Sequence, residues 1–120
     1  MNPKNKNSKI NYVEFPINDK KKFQKAKLFY SSVFKWNYKD WGDDYSDTQD
    51  SGVSSGINAD SSHNTENLLV VIYVENIKEI KENVKKSGGK IIKDIFSFPG
   101  GKRFHFTDPG GNELAVWSDK

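Results

Sequence analysis

Three side chains in this chain of 120 residues have the donor types of a metal or acid–base site: Glu14, His105 and Glu113. Carboxylates and an imidazole together suit ligation of a divalent cation or transfer of a proton. The chain has no cysteine, which removes thiolate nucleophiles, disulfides and Cys-type zinc sites. Ser31 and Ser32 follow an aromatic pair in a helical stretch with no His and carboxylate to align with them, so serine-hydrolase chemistry has no support. His63 stands in a polar stretch and reads as an exposed side chain, while Asp108 and Asn112 read as turn residues.

Whether the three donors can meet depends on the strands that carry them. Glu14 lies two residues after Tyr12, and Glu113 two before Ala115, so strand alternation gives each pair a common face. Alternation also separates a helix-facing set (Val13, Phe15, Ile17, Val70, Ile72, Val74, Leu114, Val116) from an opposite set. That second set is Tyr12, Glu14, Leu69, Val71, Tyr73, Glu113, Ala115 and Trp117, with Trp41 a further candidate. The facing of His105 depends on a register that the sequence leaves open.

The register signal is strongest at Asp108-Pro109-Gly110-Gly111-Asn112, which joins two alternating runs as a hairpin. Pro109 presets φ at the second turn position, Gly110 and Gly111 permit positive φ, and the Asp and Asn side chains can bond nearby amides. Working outward, residues 10–17 have strand character, and Asn18-Asp19 offers a cap for a helix with apolar positions Phe23, Ala26, Tyr30, Val33 and Phe34. Strands are expected at 36–41 and 52–58, with 44–48 readable as strand or loop. A polar segment, 59–67, then reads as an exposed linker.

The order repeats after it. Residues 68–74 are an apolar strand, Asn76 with Glu79 three positions on opens a helix, and Ser87-Gly88-Gly89 closes it. Strands at 90–98, 102–107 and 112–118 follow. The expected organisation is a flexible N-terminus, 1–9, and one domain of two βαβββ modules, 10–58 and 68–118, joined by the linker. It is an α+β fold.

Composition narrows the partners. Lys and Arg number 19 against 16 acidic residues, a net charge of +3 spread along the chain, which points away from nucleic acid. No apolar run approaches the ~20 residues of a membrane span, and residues 1–9 lack the apolar centre of a secretion signal. A cytoplasmic protein without membrane contact is the default expectation.

The chain resembles the vicinal oxygen chelate superfamily, which includes glyoxalase I, bleomycin-resistance proteins, fosfomycin-resistance enzymes and extradiol dioxygenases. The carriers are Asp19 followed by Ala26 and Phe29-Tyr30-Ser31-Ser32-Val33-Phe34-Lys35-Trp36, then Tyr73-Val74-Glu75-Asn76-Ile77, Ser87-Gly88-Gly89-Lys90, and Phe106-Thr107-Asp108-Pro109-Gly110-Gly111-Asn112. The resemblance implies an open, eight-stranded cupped sheet with helices outside and a ligand cavity within, and in many relatives a homodimer. In metal-using relatives it also implies a divalent ion held by His, Glu or Gln.

The positions that the resemblance assigns to those ligands fall on Tyr12, Leu69 and Ala115, and on the strand at 52–58, where Val53, Ser54, Ser55 and Ile57 offer at most hydroxyls. No cofactor is therefore expected. Glu14, Glu113 and His105 could rebuild a donor set, or the carboxylates could stay solvated or pair with lysines. The expected function is metal-free binding of a small, partly aromatic or cationic molecule by the opposite-face set, with those aromatics serving as plain core as the structural alternative. The enzyme alternative is a metal-dependent lyase or isomerase of the glyoxalase I type. A ferredoxin-like βαββαβ module, with fewer strands, is a third reading.

Overall fold

The computed structural model describes residues 5–120. Among these the order is β1 (Lys9–Pro16), α1 (Phe23–Phe34), β2 (Lys39–Asp40), β3 (Tyr45–Thr48), β4 (Ser54–Asn58), β5 (Leu69–Tyr73), α2 (Ile77–Lys86), β6 (Lys90–Phe98), β7 (Gly101–Thr107) and β8 (Glu113–Ser118). Hydrogen bonds connect the eight strands in the order β2-β3-β4-β1-β5-β8-β7-β6. This is the expected α+β arrangement of two βαβββ runs, and eight strands are more than the ferredoxin-like reading allows. The segment 44–48, open between strand and loop in the sequence, is strand β3.

By compactness the chain divides into Tyr12–Leu69 and a second unit of Val70–Lys120 with the chain through Asn11. In Tyr12–Leu69, β1 pairs in parallel with β4, and β4 and β2 flank β3 antiparallel. Asp19 accepts a hydrogen bond from the Lys21 amide at 2.9 Å and caps a 3-10 turn, Lys20–Lys22, that leads into α1. Phe23, Ile57 and Ala59 form the buried centre, with Phe15, Ile17, Ala26, Tyr30 and Tyr38 packed on it. Phe15 and Ile17 thus face α1, as alternation requires.

Several expectations change here. Ala59 belongs to the core, so the exposed linker begins after it. Val33 and Phe34 are more than half exposed, because α1 presses only its Phe23, Ala26 and Tyr30 side against the sheet. The strand expected at 36–41 pairs only at Lys39–Asp40; Trp36 instead stacks on Tyr30 and Phe34, with ring centroids 5.4 and 5.3 Å apart. The strand expected from Gly52 begins at Ser54, because Gly52 has φ +87° and turns the chain.

In the other unit β5 and β8 are parallel, and β7 lies antiparallel to both β8 and β6. Asn76 caps α2, its side chain accepting from the Glu79 amide at 3.2 Å. Gly88, at φ +98°, turns the chain out of the helix. Val74, Ile77, Phe104 and Val116 form the buried centre under α2, with Ile72, Ile80, Val84, Ile91, Ile95 and Phe106 around it. At the β7–β8 hairpin the Gly111 amide donates to the Asp108 carbonyl and the Asn112 amide to the Asp108 side chain, both at 3.0 Å. Only Gly111 has positive φ there, so Gly110 does not use the freedom expected of it.

The N-terminal expectation falls partly on residues 1–4, which lie outside the described residues. From Asn5 onward the chain is tied down: the Ser8 amide donates to the Tyr73 carbonyl at 2.8 Å, and the Asn7 side chain accepts from the Glu75 amide at 2.9 Å. Among the described residues no helix is long and apolar enough to cross a membrane.

Candidate functional site

Within Tyr12–Leu69 the face opposite α1 carries a buried polar chain. Tyr45 donates its hydroxyl proton to Glu14 Oε2 at 3.0 Å, and the Asn58 amide nitrogen donates to Glu14 Oε1 at 2.8 Å. The Tyr12 and Tyr45 hydroxyls are 2.6 Å apart, and since the Tyr45 hydroxyl hydrogen is directed at Glu14, Tyr12 is the donor between them. Glu14 is only 3 % exposed, so the solvated carboxylate considered from sequence is replaced by one that the phenol and amide hold indoors. Burial first, and the adjacent Glu14 charge second, push the Tyr45 hydroxyl far above its ordinary value, so it stays a proton donor.

Backbone register explains the meeting point. Gly56 pairs with Glu14 on one side and Asp47 on the other. A Cβ on Gly56 would overlap both the Tyr12 and the Tyr45 hydroxyl oxygens, so the missing side chain is what lets the two phenol tips come together. Trp41, the further candidate in this unit, lies apart from the chain of bonds: it is 54 % exposed, with Lys39 Nζ 4.2 Å from its ring centroid. Leu69 is fully buried.

In the other unit, register settles the facing of His105. Phe104 pairs with Val116, and both lie in the core under α2, so His105 and its partner Ala115 point the opposite way. Lys93, His105, Ala115 and Val71 make one row across the strands, and Phe96, Arg103, Trp117 and Tyr73 another. His105 is 1 % exposed, and its Nδ1 lies 2.9 Å from Glu113 Oε2. Its Nε2 is buried and without a hydrogen-bond partner. The Phe96 ring centroid is 6.1 Å from the imidazole, with Lys93 Nζ at 5.1 Å and the Arg103 guanidinium carbon at 5.3 Å from it.

Beside that row, Tyr73 donates to Asp119 Oδ1 at 2.5 Å, and burial together with this bond pushes its hydroxyl up to about 12. Trp117 packs edge-on to Tyr73 with centroids 5.0 Å apart, and its indole N–H donates to Asn11 at 3.0 Å. Tyr73, Val71 and Ala115 are buried, whereas Trp117 and Glu113 keep partial exposure.

Burial lowers the His105 pKa below its ordinary 6.5, and the Arg103 and Lys93 charges lower it further against the opposing pull of Glu113. The unfolded chain therefore takes up a proton that the native imidazole refuses. Stability is at its full value above pH 6.5 and falls as pH drops through it, levelling off below the native pKa. Urea midpoints measured from about pH 7.5 down to about pH 5 should decline, and His105→Gln should flatten that part of the curve. A curve of unchanged slope in the variant would assign the proton uptake to another group.

The ligand positions implied by the sequence resemblance can now be tested for donors. Tyr12 is a phenol engaged with Tyr45, while Leu69 and Ala115 are aliphatic and buried. Among the described residues no group of three His, Cys, Asp or Glu side chains stands close enough to hold a metal ion. The donor set does not fit a divalent cation, and no chemical step is routed through one. A cleft of about 330 Å³ lies elsewhere, beside α1, lined by Lys27, Trp36 and Tyr38 among others. Of its lysines, Lys27 donates to Asp40 and Lys35 to the Ser32 carbonyl.

Sequence reasoning missed Tyr45, Asn58, Asp119, Phe96, Lys93 and Arg103. Gly56 inside a strand was the available signal for Tyr45, since an interior glycine marks a close approach by something large.

Comparison with solved structures agrees with the fold. A protein from Legionella pneumophila described as an NAD-dependent benzaldehyde dehydrogenase superposes with a TM-score of 0.73 at 16 % identity, covering 91 % of this chain and 98 % of that one. A glyoxalase/bleomycin resistance protein/dioxygenase superfamily member from Vibrio splendidus gives 0.66 at 15 % identity, covering 89 % and 96 %. The Mn(II)-bound glyoxalase from Novosphingobium aromaticivorans gives 0.66 at 18 %, covering 93 % of this chain, which spans 39 % of that protein. At these identities the likeness is one of fold. No curated protein matches in sequence. The model of one family matches residues 9–116, nearly the whole chain, and the protein belongs to that family, the Glyoxalase/Bleomycin resistance protein/Dioxygenase superfamily.

Proposed function

We propose that this member of the superfamily binds a small, partly aromatic molecule without a metal ion. The observation that carries the reading is the furnishing of the three ligand positions, a phenol already hydrogen-bonded and two buried aliphatic side chains. The binding surface is the face opposite α2, where Trp117, Phe96 and Phe98 offer aromatic area with partial exposure. A cationic guest draws less support than an aromatic one, because Glu14 and Glu113 already spend an oxygen each on Tyr45 and His105.

A metal-dependent lyase of the glyoxalase I type is the competing outcome. Incubation with nickel or manganese and a methylglyoxal–thiol adduct should give no turnover above the uncatalysed rate. Turnover that requires the metal and disappears in Glu14→Ala or Glu113→Ala would reverse the proposal. Homodimerisation belongs to the same reading, since α1 leaves Leu28, Phe29 and Val33 more than half exposed, the kind of apolar face that association covers. Sedimentation equilibrium should return twice the 13.7 kDa chain mass, and Phe29→Glu should return the monomer; a monomeric wild type would refute this.

A further inference from the structure

The cleft beside α1 is made by the helix and the chain that leaves it. Lys27, Ser31 and Lys35 follow one another at four-residue spacing and so stand in a row along α1, and Trp36 and Tyr38, just past the helix end, supply further lining. Lys35 makes the turn between them at φ +64°, a left-handed conformation in which glycine is the usual residue. A lysine there keeps an ammonium group in the lining against the preference of the backbone. The volume, about 330 Å³, falls within the ~300–1,000 Å³ of small-molecule sites.

Three polar groups of that lining, the Ser31 hydroxyl, the Trp36 indole N–H and the Tyr38 hydroxyl, have no hydrogen-bond partner among the described residues. Burial, and after it the neighbouring Tyr30, push the Tyr38 hydroxyl up to about 12, so it remains a proton donor. Each lysine commits one of its three N–H groups, Lys27 to Asp40 and Lys35 to the Ser32 carbonyl, which leaves donors on both. No carboxylate belongs to the lining. Asp40 lies against Lys27, and Asp50 Oδ2 accepts from the backbone and side-chain nitrogens of Asn37. The cleft is therefore rich in donors, and Leu28, 62 % exposed, gives it an apolar flank. An anion whose oxygens accept hydrogen bonds and whose body is apolar answers both features.

We infer that this cleft is a second binding site, for a small carboxylic acid with an apolar body. Lys35 pairs with the carboxylate, Ser31 and Trp36 donate to its oxygens, and Leu28 receives the body. The site is separate from the face opposite α2 and does not depend on what that face binds. No bond is made or broken in it.

The test uses the full chain labelled with ¹⁵N and reads the indole N–H signals by proton–nitrogen correlation, that of Trp36 being the one lost in Trp36→Phe. Titration with phenylacetate should move the Trp36 signal saturably, with Kd below about 1 mM. The similarly shaped 2-phenylethylamine, which brings a like charge to the lysines, should bind at least about tenfold more weakly. Lys35→Gly suits the left-handed turn, so it should keep the urea midpoint of the wild type while weakening phenylacetate at least about threefold. A lysine with only a structural role would leave that affinity unchanged. Ser31→Ala should weaken the acid as well. No saturable shift at Trp36, equal binding of acid and amine, or unchanged affinity in Lys35→Gly would each overturn the inference. So would a shift confined to Trp117, whose N–H is held by Asn11, because the acid would then sit on the face opposite α2.

Discussion

Gly101→Ala should lower stability by about 3 kcal/mol or more, enough to leave a marginal domain largely unfolded at 37 °C. Gly101 begins β7 at φ +151°, a conformation that L side chains rarely adopt. A Cβ there would overlap the Ser118 carbonyl oxygen and crowd the Asp119 Cα, both of them backbone, so no side-chain rotation relieves the clash. The cost falls on β6–β7–β8, the strands that carry Lys93, His105 and Glu113. Urea denaturation reads the change; a loss under about 1 kcal/mol would show that the β6–β7 turn can rearrange at little cost.

Glu14→Leu should cost about 2–4 kcal/mol, since two buried donors, the Tyr45 hydroxyl and the Asn58 amide, lose their acceptor together. The leucine restores apolar volume, so the loss reports on polar satisfaction more than on a cavity. Tyr45→Phe removes one of the stranded donors, and the double variant Glu14→Leu/Tyr45→Phe should therefore be more stable than the sum of the single losses implies. A coupling of about 1 kcal/mol or more is expected from the double-mutant cycle. Additive losses would mean that the carboxylate and the phenol do not act as a unit.

The parts of this molecule that local chemistry dictates were legible in the sequence. The Asp108–Asn112 hairpin, the Asn76 cap and the Gly88 exit of α2 each follow from residues within a few positions of one another. Alternation along β1, β5 and β8 likewise sorted Phe15, Ile72, Val74 and Val116 toward the helices. What escaped were pairings set by distant strands. Glu14 looked like a solvated carboxylate because its partners are 31 and 44 positions away, at Tyr45 and Asn58. His105 had no assignable face until the β7–β8 register put it opposite Ala115. The outward side of α1 was misjudged for a related reason: Val33 and Phe34 fit a helical apolar stripe, yet the sheet meets α1 along Phe23, Ala26 and Tyr30.

The proposal of metal-free binding turns on the side chains at positions 12, 69 and 115, a hydrogen-bonded phenol and two buried aliphatics. Isothermal titration with manganese, nickel and zinc tests that most directly. The expected result is no stoichiometric heat for any of the three ions in the micromolar range. One-to-one micromolar binding that Glu14→Ala or Glu113→Ala abolishes would contradict the account.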